Sequence, residues 1–351
     1  MTTLSSVPVG TTSDAAGISG KSDKILWLSI IQGWAILLVV IGHVNAFTYS
    51  GAEGEIYPAS GWIQRFCYSF HMPLFMFVSG GLLYMTRIEK GWNTISLYKD
   101  KLKRLLVPFV LFTIIGFLAK IPFAGVTKTG LDLSVHGFAM ALFDPANGPL
   151  KELWFVGTLM WLMFMDPVYK AMLHSVWSEI LLLAVSLVPF VFDMHFDFSG
   201  WFNLAGVSRY AFYFIAGILF FRYNGVRYFA TRVWAVIAVT AIYFLCFLIL
   251  SVPDVITALL GILMSFAWGS RLTRFPRLFS SFRDHSFQIF LIGIFPQMMV
   301  ELLVWKRFHE EWMQLPFYII SCVLALACGV VMSRVASHFR PAFLRWGFGL
   351  K

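Results

Sequence analysis

The stretch ILWLSIIQGWAILLVVIGHV, Ile25–Val44, decides the fold. It carries no formal charge except on a titratable histidine and is long enough to cross a hydrocarbon core of roughly 30 Å as a helix. His43 stands near its end, and a second histidine, His71, opens the next such run, Cys67–Met85. Ionisable groups are costly inside hydrocarbon, which makes each a candidate functional residue. Two of them at one membrane face, on consecutive spans, point to a shared site.

Outward from that stretch the chain keeps the same character. Of its 351 residues 59% are hydrophobic and 13% charged, with a mean hydropathy of +0.76. Soluble domains average about 45–50% apolar and about 25% charged residues. The reading is an all-α, polytopic integral membrane bundle. Ten apolar runs qualify as spans: 25–47, 67–86, 104–122, 151–169, 179–194, 205–222, 231–251, 253–270, 285–305 and 313–335. Residues 1–24, rich in Ser, Thr and Gly, are expected to be a disordered cytoplasmic tail. They are not read as a signal peptide, because the apolar stretch that follows is too long for one and no small-x-small cleavage site follows it. Residues 25–335 form the transmembrane domain, and 336–351 a basic cytoplasmic tail that could lie on the leaflet.

The formal charge of +9 is distributed by face. With both termini cytoplasmic, twenty of the 27 Lys and Arg residues fall on the cytoplasmic side and seven on the other. This is the positive-inside pattern. Orientation and anionic membrane lipids explain the charge, and no nucleic-acid partner is needed. The four cysteines include no C-x-x-C pair, and no metal site is expected.

Within this topology His43 lies in the outer half of the first span and His71 at the outer start of the second. An imidazole can take a proton from a hydroxyl at neutral pH, which suits attack by an alcohol supplied from outside. The competing reading of His43 is a packing histidine bonded to a helix carbonyl; His71, followed by Pro73, could be interfacial. Gln32 lies eleven residues below His43, roughly 16 Å along a helix, and could mark the inner part of the same path. Lys101, Lys103 and Arg104 lie in KDKLKR, residues 99–104. They are either topology signal or an anchor for a phosphorylated donor. Arg209, the exception at an outer helix end, either snorkels or meets a substrate oxygen. Glu152 with Trp154 opens the fourth run and either orients a histidine or is simply interfacial. Ser79-Gly80-Gly81 is expected to let two helices approach closely.

These motifs resemble a known family. QGWAILLVVIGH, Gln32–His43, looks like the first-helix motif of the bacterial membrane acyltransferases called acyltransferase family 3, where a basic residue stands ten intervening residues before a histidine. FHMPLFMFVSG, Phe70–Gly80, resembles the second-helix motif of its fucose-acetylase-like branch, and KRLLVP at 103–108 and LWFV at 153–156 fit the same branch. The resemblance implies ten helices and transfer of an acyl group, usually acetyl from cytosolic acetyl-CoA, to a hydroxyl of an envelope or exported polysaccharide or a lipid-linked sugar. It implies no bound cofactor, the acyl-CoA being a substrate, and a place in the inner (plasma) membrane. His43 would be the catalytic histidine and His71 its partner. Two positions depart from the pattern. Gln32 replaces the basic residue, and Gly293 falls where a later histidine is expected. A transporter using both histidines as a proton relay fits the helix count equally well. A catalytically dead relative that organises an assembly is the third reading. The motif match favours the enzyme, and the lack of a matched pair of broken helices disfavours the transporter.

Overall fold

The computed structural model describes residues 21–44, 58–121, 132, 134–192, 194, 200–225, 233–250, 252–305 and 311–350. Among them there is no strand. The helices are α1 (Lys21–Gly42), α2 (Pro58–Leu83), α3 (Thr94–Lys101), α4 (Val107–Lys120), α5 (Val135–Phe143), α6 (Trp154–Phe164), α7 (Asp166–Met172) and α8 (Val176–Val191). They continue with α9 (Ala205–Arg222), α10 (Val233–Leu248), α11 (Asp254–Leu272), α12 (Ser286–Ile292), α13 (Ile294–Val300), α14 (Glu311–Ser337) and α15 (Ala342–Gly347). Wider π-type turns extend α2 over Tyr84–Ile88 and join α3 to α4 over Leu102–Leu106.

The described residues of the ten apolar runs lie largely on helix, yet the expectation of ten full spans is not met by helix length. Among the described residues five helical stretches are long and apolar enough to cross a membrane, and a bent pair, Arg283–Ile292 with Ile294–Val304, makes a sixth. Three more, Leu26–Gly42, Val176–Val191 and Val233–Leu248, are apolar but shorter. The run at 151–169 breaks at Met165 because Pro167 cannot donate the backbone bond that would continue α6. Asp166 starts α7 there, fully buried and held by Lys170 Nζ at 2.8 Å and Thr94 Oγ1 at 2.6 Å. The fold is a polytopic helical membrane bundle. α1 begins at Lys21, inside the expected tail, and residues 1–20 and 45–57, including most of the first connection, lie outside the described residues.

Exposure follows the bilayer. α8, α10 and α14 present Trp177, Leu181, Trp234, Ile237, Ile319 and Val323 on their outsides. That is the pattern of a bundle solvated by lipid. α1 is the opposite case. Trp27, Ile31, Ala35 and Leu38 are buried, and so are Ile30, Ile36, Val39 and Val40, so it is enclosed on several sides. α2 and α9 make the closest crossing. A Cβ on Gly80 would run into the Phe214 carbonyl, and one on Gly217 into the Phe77 carbonyl. The expected close approach at Ser79-Gly80-Gly81 is therefore found, and it is reciprocal. Small residues allow it because helices in lipid associate through packing rather than through water exclusion.

Two features were not legible in the sequence. Trp201, Phe202 and Asn203 occupy the left-handed region, with φ of 53°, 56° and 57°. This conformation costs non-glycine residues roughly 1–2 kcal/mol each. α6 holds the turn: Trp161 Nε1 donates to the Trp201 carbonyl at 2.7 Å, and Asn203 Nδ2 donates to Thr158 Oγ1 at 2.9 Å. The C-terminal segment, which could lie on the leaflet, also packs against the bundle. Gln288 Nε2 donates to the Phe348 carbonyl at 2.8 Å, Phe348 meets Phe112 edge-on at 5.8 Å, and Gly347 seats against Leu111. Its aromatic side chains find a drier partner there than a headgroup layer offers.

Gly217→Leu should lower the thermal midpoint of the detergent-solubilised protein sharply, by more than the 1–3 kcal/mol typical of overpacking, because backbone and not a movable side chain is struck. Fluorescence-detected size exclusion after heating measures this, with Ala216→Leu as the control.

Candidate active site

Helix α1 ends at Gly42 within the protein, where the backbone N–H groups of His43 and Val44 still reach the Val39 and Ile41 carbonyls at 3.0 and 3.4 Å. Each of three consecutive carbonyls is met by a different side chain. The Val39 carbonyl accepts from His43 Nδ1 at 2.8 Å, that of Val40 from Gln297 Nε2 at 2.9 Å, and that of Ile41 from Tyr318 Oη at 2.7 Å. A carbonyl can only accept, so the His43 proton sits on Nδ1, and in the neutral ring Nε2 keeps its lone pair. The packing reading of this histidine is thus correct for one nitrogen and leaves the other free for chemistry.

α2 repeats the device. His71 Nδ1 lies 2.7 Å from the Cys67 carbonyl, four residues back, and the residue is buried. Gly42 brings the two together: a Cβ there would lie 3.1 Å from Cys67 Cβ and 3.2 Å from the Tyr68 ring. The imidazole centroids are 5.9 Å apart and nearly perpendicular, and the Tyr68 ring lies 4.8 Å from His71 and 5.7 Å from His43.

Both histidines line a cavity of about 1060 Å³ that also takes in Glu152, Trp154 and Arg209. The outer-site residues read from the sequence therefore converge, although α1, α2, α6 and α9 supply them from distant parts of the chain. Trp154 stacks on Tyr210 at 5.3 Å and 23°, an aromatic platform in the same wall. Arg65, Lys151 and Asp254 add charge of both signs. Gln32 is elsewhere. It lines a narrower cavity of about 150 Å³ with Ser79, Phe155, Ser286 and Phe287. Met72 and Phe290 belong to both cavities, so the two lie end to end, with the histidines at one end and Gln32 at the other.

Lys101, Lys103 and Arg104 line neither cavity. Lys103 Nζ stands 4.6 Å over the Trp346 ring, and Arg104 Nε donates to the Gly349 carbonyl at 3.3 Å. Gly349 in turn abuts Phe287, which lines the Gln32 cavity. The basic cluster thus reaches the path only through the C-terminal segment. Among the described residues no three His, Cys, Asp or Glu side chains are arranged to hold a metal.

Sequence reasoning missed Tyr68, Tyr210, Gln297 and Tyr318. For Gln297 the signal was present, an amide within an apolar run, the same cue that singled out Gln32. The tyrosines are lost among the chain's aromatics, and only the fold places them. At Gly293, the second departure from the pattern, a Cβ would approach the Ile289 carbonyl oxygen to 2.6 Å and Ala325 Cβ to 3.4 Å. The 54° bend at this glycine leaves little room for a histidine.

Compared with known proteins, the chain matches a family model described as an acyltransferase domain over residues 25–334. No curated protein and no solved structure matches it.

Tyr318→Phe removes the shorter of the two bonds on the Ile41 carbonyl, 2.7 Å against 3.4 Å from Val44 N, at a cost of about 0.5–1.5 kcal/mol. The expected result is a lower thermal midpoint together with faster carbethoxylation of His43 by diethyl pyrocarbonate, followed by peptide mass spectrometry.

Proposed function

The chain belongs to acyltransferase family 3, and from that premise we propose that it is an O-acyltransferase of the inner membrane. Its donor is a cytosolic acyl-CoA, in the simplest case acetyl-CoA, and its acceptor a hydroxyl of an envelope or exported polysaccharide or a lipid-linked sugar. The observation that carries this reading is the pair of histidines, each with Nδ1 tied to a carbonyl, lining one large cavity that shares Met72 and Phe290 with the narrow one at Gln32.

In the proposed reaction the acceptor enters the large cavity, where Trp154 and Tyr210 offer a ring face and Arg209 and Glu152 offer polar contacts. His43 Nε2 takes the hydroxyl proton as the oxygen attacks the thioester carbonyl. The carbonyl oxygen becomes an oxyanion while His71, its own Nδ1 proton held by the Cys67 carbonyl, packs edge-on against His43 and orients it. Collapse breaks the carbon–sulfur bond, the ester remains on the sugar, and the proton on His43 passes to the leaving thiolate. The donor's thioester arm extends along the narrow cavity past Gln32. Its phosphates remain at the basic end, near Lys101, Lys103 and Arg104, where the C-terminal segment shares the cations. Such a layout modifies an external sugar without exporting the donor.

A proton-coupled exporter would also use a continuous path with two histidines. Acceptor-dependent release of CoA by the purified protein separates the two, since an exporter releases none.

In cells deleted for the gene, the wild-type chain should restore the O-acyl content of envelope glycan, whereas His43→Ala, matched for expression by blot, should not. Restoration by His43→Ala would remove the histidine from the chemistry. Arg104→Ala is expected to raise KM for acyl-CoA several-fold while leaving KM for the acceptor unchanged, in steady-state assays varying each substrate.

A further inference from the structure

A separate cavity of about 320 Å³ lies between α1, α2, α10 and α11, walled by Ile31, Trp34, Phe66, Phe244, Met264 and Trp268 among others. Its polar groups are satisfied internally. Trp34 Nε1 donates to Ser265 Oγ at 3.2 Å, and that hydroxyl donates to the Gly261 carbonyl at 2.8 Å. Trp268 Nε1 donates to Thr240 Oγ1 at 3.0 Å, and that hydroxyl donates to the Val236 carbonyl at 2.8 Å. These indoles and hydroxyls have little hydrogen bonding left to offer an occupant, so the space suits hydrocarbon.

The same helix faces line this cavity and the histidine cavity. On α10, Thr240 and Phe244 border the side cavity and Phe247 the histidine cavity, at spacings of four and three that keep them on one stripe. On α11, Ala258 borders the histidine cavity and Ser265 and Leu272 the side cavity, seven residues apart each time. Ala258 to Leu272 is roughly 21 Å of helix, more than half the hydrocarbon thickness. Between the two spaces stands a partition of rings. Phe66, in the side cavity, meets Phe247, in the histidine cavity, at 6.2 Å. Tyr243 bonds Ser69 at 2.9 Å behind them. Trp268, in the wall of the side cavity, is also 44% exposed on the outside of the bundle.

We infer that this cavity holds the hydrocarbon chain of a lipid-borne acceptor whose sugar occupies the histidine cavity. The substrate class is therefore a saccharide on a long-chain lipid rather than a free polysaccharide. The assignment rests on the acyltransferase reading for its chemistry, but the chain site stands on its own lining. The chain enters sideways from the bilayer, runs along the α10–α11 stripe, and delivers its head past the Phe66 and Phe247 rings.

The test uses the full chain in vesicles of bacterial-type phospholipid containing a lipid with a diazirine on its acyl chain. Thr240→Phe fills the cavity from its lipid side, while Thr240→Val keeps the space. Crosslinks mapped by mass spectrometry should fall on the 264–272 segment in the wild type and in Thr240→Val, and drop about tenfold in Thr240→Phe. With acyl-CoA present, Thr240→Phe should raise KM about tenfold for a lipid-linked saccharide, the equivalent of losing contact with about two methylenes. It should leave a chainless saccharide unaffected. Crosslinking unchanged in folded Thr240→Phe, or KM rising equally for both acceptors, overturns the inference. If the wild type acylates neither acceptor, the enzymatic reading fails and the crosslinks alone decide the chain site. Leu272→Trp fills the cavity from its other end should Thr240→Phe not fold.

Discussion

A helix that ends within a membrane protein must find donors for its last carbonyls, and α1 ends that way. In water the exposed groups would be solvated; in a dry interior each unmatched carbonyl costs kilocalories. The three side-chain donors come from His43 itself, from α13 and from α14. The imidazole bond to the Val39 carbonyl, added to the backbone bond that carbonyl already accepts from His43 N, fixes the tautomer and aim of the histidine. The Tyr318 bond ties the first helix to the last long one, across 277 residues of sequence between Ile41 and Tyr318. The bend at Gly293 belongs to the same arrangement, because α13 carries Gln297 to the Val40 carbonyl from the far side of that bend.

At the opposite end of the path the C-terminal segment takes the role that a leaflet-bound tail could not. It stacks Trp346 under Lys103, accepts from Arg104 and closes on Phe287. Cations that line no cavity are held in fixed positions next to one. The surface beside these cations is partly built by Trp346 and Gly349.

Much of this was legible in the sequence because the membrane enforces simple rules. The apolar runs and the small-residue motif at Gly80 follow from the chemistry of hydrocarbon: the runs lie largely on helix, though not as ten full spans, and the close approach is found. The break at Met165 was legible in principle from Asp166-Pro167, but run-marking by hydropathy overrode it. Other features had little local signature. Tyr68 stands one helical turn before His71, a spacing lost in a chain that is 18% aromatic, while only the tertiary fold brings Tyr210 into the same cavity wall. The left-handed turn contains no glycine at its three unusual positions, so propensity argues against it. It exists because α6 supplies the hydrogen bonds.

That turn bears on how the protein is made. Chains enter the membrane from the N-terminus, and domains form in the order of synthesis. The residues that hold Trp201–Asn203 in its costly conformation, Thr158 and Trp161, are translated some forty residues earlier. Gly157, whose missing side chain leaves space for the Phe202 carbonyl, comes with them. The residues that shape this segment are therefore synthesised before it, and the start of α9, with Arg209 and Tyr210 one to two turns beyond, follows directly from the turn they hold.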